Sequence, residues 1–225
     1  MFFSIRLRGI VAIALVVAVL SLSFAVSVPT AATGGKTIVI DAGHGGQDGG
    51  VVGASGVKES EINLAIAIKL KKCLIGGGYN VVMTRESDTG LYGNATTDKK
   101  LADMKKRKSI INQARPSLMV SIHQNYYPSS YVKGAQVFYA PDGKSKDEAE
   151  HTQRILNRML GCKREAMKGD YYVLQCSQYP SLLIECGFVS NPDEEKKLVS
   201  ASYQEEVAYA IYTAICFSLT GSSLA

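Results

Sequence analysis

An α/β fold of three layers, α/β/α, around a mostly parallel mixed sheet of six strands follows from three features of the sequence. Short apolar runs alternate with segments of helical periodicity. The first run ends in a glycine-rich loop, and the link between the third and fourth runs is short and carries no helical pattern. Runs that are apolar throughout, rather than alternately apolar, are what strands covered on both faces require.

The elements follow in order. Residues 37–41 are the first strand, and residues 61–75 a helix stopped by Gly76-Gly77-Gly78. Residues 79–84 make the second strand. Residues 98–114 read as a helix with Leu101, Met104, Ile111 and Ala114 along one stripe. Residues 118–123 and 134–139 are the third and fourth strands, and their short connection predicts that they pair antiparallel. Ser145 and Glu148 form a capping box for a helix with Ala149, Thr152, Leu156 and Met159 on one side, closed by Gly161. Residues 171–174 and 181–185 supply the last two strands. Asn191-Pro192-Asp193-Glu194 sets an N-cap, a first-turn proline and acidic residues in sequence, and Ser202 and Glu205 cap a largely apolar final helix to residue 219.

A chain of 225 residues accommodates one domain with a sizeable core, expected over residues 34–220 with a short tail at 221–225. Residues 1–33 stand apart. Arg6 and Arg8 precede an apolar run from Ile10 to Val28, which reads as an export signal. Small residues at Ser23 and Ala25, or at Thr30 and Ala32, permit cleavage. The run is also long enough to stay uncleaved as an N-terminal membrane anchor. On either reading the working domain is exported. The net charge of +5 suits an anionic wall polymer or a membrane surface, and no basic stripe interleaved with aromatics argues for nucleic acid. Cys73, Cys162, Cys176, Cys186 and Cys216 show no metal-ligand spacing and read mainly as small core hydrophobes, with no disulfide assignable.

Four residues carry the chemistry. His44 follows the first strand in a glycine loop and His123 ends the third, so both imidazoles fall at the carboxyl ends of strands, where open α/β sheets gather ligands. Glu59 and Glu61 open the first helix, where the helix dipole alone would favour an acid. One of them as a third ligand completes a two-histidine, one-glutamate zinc site with a position left for water. Glu185 ends the buried run Ser181-Leu182-Leu183-Ile184, a costly place for a carboxylate unless it acts as a general base or forms a salt bridge. Arg107 lies on the apolar stripe and should point inward, to an acid near the site, to substrate or into a structural ion pair. His151 reads as a surface residue.

The segments Ile38-Val39-Ile40-Asp41-Ala42-Gly43-His44-Gly45-Gly46, Lys58-Glu59, Ser121-Ile122-His123-Gln124-Asn125 and Leu183-Ile184-Glu185-Cys186-Gly187-Phe188-Val189-Ser190-Asn191-Pro192 together resemble the zinc-dependent N-acetylmuramoyl-L-alanine amidases. The resemblance implies Zn2+ held by His44, Glu59 and His123, with Glu185 as the catalytic glutamate and peptidoglycan as the substrate. It prefers Glu59 to Glu61, because the family glutamate follows the loop directly. The stretch from Met83 to Tyr92 is similar to the germination-specific, spore-cortex members, which help make muramic-δ-lactam. The resemblance also implies that the long inhibitory insertion of the cell-division members is missing here, as is a flanking wall-binding module. Control by an activating protein partner, or by metal loading, is therefore an expectation. Where the family has a proline after the loop aspartate, this chain has Gly49 after Asp48. Two rival readings are a non-catalytic wall-binding scaffold and a zinc peptidase cutting within the stem peptide.

Overall fold

The computed structural model describes residues 35–220; the expected leader and tail lie outside the described residues. The elements run β1 (Thr37–Ala42), α1 (Glu59–Gly76), β2 (Asn80–Met83), α2 (Lys99–Ala114), β3 (Leu118–Asn125), β4 (Gln136–Tyr139), α3 (Lys146–Leu160), β5 (Met167–Lys168), α4 (Tyr172–Gln175), β6 (Ser181–Phe188), α5 (Pro192–Leu198) and α6 (Ala201–Thr220). The strands form one sheet in the order β2-β1-β3-β6-β4-β5. All neighbours are parallel except β4, which runs antiparallel to β6.

Strand alternation divides the sheet into two faces. Ile38, Ile40, Leu118, Val120, Ile122, Leu182 and Ile184 enter the larger core, against Ile66 and Leu70 of α1, Leu156 of α3 and Ile211 of α6. The intervening Val39, Met119 and Leu183 enter a smaller cluster with Ile111 of α2 and Val173 and Leu174 of the short α4. Asp41, Ser121, His123 and Glu185 fall on this second, thinly covered face. In the strand register His123 stands directly opposite Glu185. Pleat parity therefore delivers the chemistry-bearing side chains to one side of the sheet.

The three-layer mixed sheet matches the expectation, and four details differ from it. Residues 172–175 are helical, and the fifth strand is the two-residue β5. Val173 and Leu174 are adjacent and both buried in one cluster, which a strand cannot achieve because consecutive side chains point to opposite faces. β4 is antiparallel to β6 rather than to β3, because β3 is already hydrogen-bonded on both sides, to β1 and to β6.

Ser145 makes no capping bond: it sits at φ 62° and its hydroxyl accepts from the Ser181 amide at 3.0 Å. α6 opens two residues early, and Ser200, not Ser202, accepts from the Tyr203 amide. Asn191 does cap α5, accepting from the amides of Asp193 and Glu194.

Side-chain placements also depart in part. Leu101 and Met159 are exposed, and the buried line of α2 is Asp103–Arg107–Ile111 at i, i+4 and i+8. His151 is half-buried rather than on the surface, its ring tilted against Phe217 with centroids 6.4 Å apart. All five cysteines are free.

Candidate functional site

The site begins in the loop after β1. His44 occupies the left-handed region at φ 61°, unusual for a residue with a side chain. Two buried arginines hold the backbone there. Arg107 donates to the carbonyls of Ala42 (2.8 Å) and His44 (2.7 Å), and Arg85 to those of Ala42 (2.9 Å), Gly43 (2.9 Å) and Ser60 (2.8 Å). Arg107 is itself fixed by Asp41 and Asp103, both at 2.6 Å, so the inward-pointing arginine forms a structural ion pair that braces the loop. Gly43 has no alternative: a Cβ there would lie 2.3 Å from the His123 ring.

Glu59 is buried between the two imidazoles. Its Oε1 lies 2.9 Å from His123 Nδ1 and its Oε2 3.3 Å from His44 Nε2, while the rings meet edge-on with centroids 5.0 Å apart. The Val51 and Gln124 amides and Asn63 Nδ2 also donate to this carboxylate. Burial works to raise the Glu59 pKa, but the bonds to His123 and His44 outweigh it and hold the acid well below the ordinary range. Glu61 is exposed.

The donor atoms of His44, Glu59 and His123 lie within 4.8 Å of one another. Ligands about 2.1 Å from one zinc stand up to roughly 4.2 Å apart, so small ring movements suffice to enclose an ion. The chemistry of the set, two imidazole nitrogens and one carboxylate, fits a divalent cation with an open position. Asp48 accepts from His44 Nδ1 at 2.9 Å, which leaves Nε2 as the nitrogen free to coordinate.

Glu185 is 6% exposed and lines the same cleft, of about 460 Å³, as the three donors. Its Oε2 is buried with no hydrogen-bond partner among the described residues. Burial, and then the neighbouring charge of Glu59, raises its pKa to about 8. A buried orphan oxygen beside a candidate metal cradle is poorly explained by packing and well explained by a transient partner such as water.

Sequence reasoning thus named His44, Glu59, His123 and Glu185, and the structure brings all four into one cleft. It passed over Asp48, Asn63, Arg85 and Gln124. Asn63 was findable, since it stands at i+4 from Glu59 on the same helix. Arg85 and Gln124 carry no local signal for the site, because the groups they meet there, such as the Ser60 carbonyl and Asn63, are 25 and 61 residues away.

Fold and cluster together define an α/β enzyme with a metal-capable, hydrolytic type of centre at the carboxyl ends of parallel strands. The N-acetylmuramoyl-L-alanine amidase family profile matches residues 38–216. The chain belongs to that family and is an amidase of this class.

Among its relatives, the germination-specific N-acetylmuramoyl-L-alanine amidase of Bacillus subtilis is 38% identical over 187 residues, covering 80% of this chain and 78% of that protein. The CwlD amidase of Clostridioides difficile, solved in complex with the GerS lipoprotein, superposes with a TM-score of 0.79 at 40% identity, over 83% of this chain and 100% of that one. The catalytic domain of CwlV from Bacillus (Paenibacillus) polymyxa gives 0.73 at 32% identity, over 82% and 98%.

Proposed function

We propose that this protein is a zinc-dependent peptidoglycan amidase that cleaves the bond between N-acetylmuramic acid and the L-alanine of the stem peptide. His44, Glu59 and His123 are its metal ligands and Glu185 its general base. The observation that carries the reading is the orphaned, buried Glu185 carboxylate lining one cleft with a His–Glu–His set whose donors lie within 4.8 Å.

When bound, zinc supplies Lewis-acid polarisation to the scissile carbonyl and to water in the cleft. Glu185 takes the proton of the attacking water and returns it to the departing nitrogen of L-alanine. Burial first, and the Glu59 charge second, hold the Glu185 pKa up to about 8, within reach of a group that takes and returns a proton near neutral pH. Asp48 keeps His44 in the tautomer that presents Nε2, and the Arg85–Arg107 brace holds its loop in register with β3.

The catalytic unit spans residues 34–220, with residues 1–33 exporting the chain to the wall side of the membrane, cleaved or kept as an anchor, and residues 221–225 a tail. The family match over 38–216 supports these bounds. No helix among the described residues is long and apolar enough to cross a membrane.

Likeness to a germination-specific amidase supports a place in spore-cortex maturation, including the forespore intermembrane space and the route to muramic-δ-lactam. That CwlD was solved in complex with a lipoprotein supports a protein partner for this chain, through which its activity is controlled. Digestion of purified muropeptides tests the activity. Mass spectrometry should show intact stem peptides released from the sugar, with release stopped by chelation and restored by zinc. Shortened peptides still attached to sugar would instead mark a peptidase, and an unchanged polymer a binding protein.

A further inference from the structure

A second cavity, of about 400 Å³, adjoins the cleft and is lined by Gln47, Asp48, Tyr92, Lys99, Lys100 and Asp103. Lys100 lines both spaces. Its acceptors are already engaged. Asp103 Oδ1 takes the Leu91 amide at 2.7 Å and Oδ2 takes Arg107 Nε at 2.6 Å. Asp48 is used by His44, the Gly50 amide and Lys100, and Gln47 Oε1 by Lys99 at 2.9 Å.

The donors, by contrast, have capacity to spare. Tyr92 oxygen accepts from the Gln47 amide, so its O–H is available to donate outward. Lys99 is partly buried and steadied over the Tyr92 ring at 5.4 Å, and it pairs with no carboxylate among the described residues. Each acid lining the cavity is paired with a cation, Asp48 with Lys100 and Asp103 with Arg107, which leaves the Lys99 ammonium and the Tyr92 hydroxyl to meet a ligand, a pair that selects an anion.

We infer that this cavity is a carboxylate subsite for the stem peptide, binding through Lys99 and Tyr92 the acidic residue that follows L-alanine. The inference rests on the amidase reading and extends it to substrate selection. Asp48 bridges the cavity to His44, so the subsite is one side chain removed from the metal cradle. An extended peptide advances about 3.5 Å per residue, so a carboxylate on the next residue stands roughly 7 Å from the scissile carbonyl. Preference for a stem with a free acid over one with an amide at that position follows directly.

The test compares two synthetic N-acetylmuramoyl tripeptides that differ only in whether the α-carboxyl of the second residue is free or amidated. The zinc-loaded full chain should cleave the free acid with kcat/KM about fivefold higher, the upper range for a solvent-accessible ion pair, with the gap narrowing in high salt. Lys99→Gln should remove the preference by raising KM for the free acid alone, while Lys106→Gln, on the exposed side of α2, keeps it. Equal kcat/KM on the wild-type chain, or a preference that survives Lys99→Gln, overturns the subsite while leaving the amidase reading in place. Cleavage of neither substrate overturns the amidase reading instead. The subsite is then decided by calorimetry with the two free tripeptides: tighter binding of the acid, lost in Lys99→Gln, supports it, and equal binding removes it.

Discussion

At Glu185 packing and chemistry pull in opposite directions. The strand around it is buried at every position, yet this carboxylate keeps an oxygen without a partner and holds its proton up to about pH 8. Because the folded pKa is raised, its ionised form opposes folding at neutral pH, and stability is lost as pH rises between the ordinary value and about 8. Glu185→Gln removes that opposition while preserving shape. The variant should unfold at the same temperature as the parent or higher at pH 8, retain zinc by atomic absorption, and lose roughly 10²–10⁴-fold in turnover. Full turnover on muropeptides in that variant would deny the residue its role. His44 shows a related tension, since it accepts a left-handed backbone in order to direct its ring at Glu59. The bonds from Arg107 and to Asp48 offset that strain.

At the scale of elements, the tie between β1 and α2 shapes the site. Asp41, next to last in β1, meets Arg107 of α2, Ser121 of β3 and Thr84 beyond β2. Burial works to raise its pKa, but the Arg107 charge and these hydrogen bonds bring it down to about 2 from an ordinary 3.8. A depressed carboxyl contributes stability that is fully present above its unfolded pKa and is lost as pH falls towards the folded value. Acid titration should therefore cost about 2 kcal/mol between roughly pH 4 and pH 2 from this group. Asp41→Asn should flatten that part of the curve while lowering stability at neutral pH, as denaturant unfolding across pH would show. An unchanged acid limb would mean that Asp41 is not held in this way. Because the Arg107 guanidinium also carries the His44 carbonyl, loosening the tie moves the metal cradle as well.

Across the whole molecule, the sheet has a thick layer of α1, α3 and α6 on one face and the sparse cover of α2 and α4 on the other. The cleft opens on the sparse side, so the ligand set is supported from below by the larger core. Metal binding should couple to global stability, since His44, Glu59 and His123 come from a loop, a helix and a strand that unfolding separates. Zinc at about a hundred times its Kd should add roughly 2.7 kcal/mol, a rise of about 5–10 °C in Tm. That rise should persist in Glu185→Gln and vanish in His123→Ala. A zinc-insensitive Tm in the parent chain would contradict the cradle.

Local signals in the sequence mark the layer architecture, the helix ends at Gly77 and Asn191, and the four residues that the fold gathers into the candidate site. Those signals are an apolar run, a glycine loop, a cap, an acid where burial makes acids costly. Tertiary structure alone decided that β6 lies between β3 and β4, that residues 172–175 coil, and that Ser145 serves a strand amide instead of its own helix. It also decided that Arg85, Arg107 and Asp48 hold His44 in place. Each of these outcomes depends on hydrogen-bonding groups finding partners across a packed interior. Nothing in a short window of sequence states which distant group will be there.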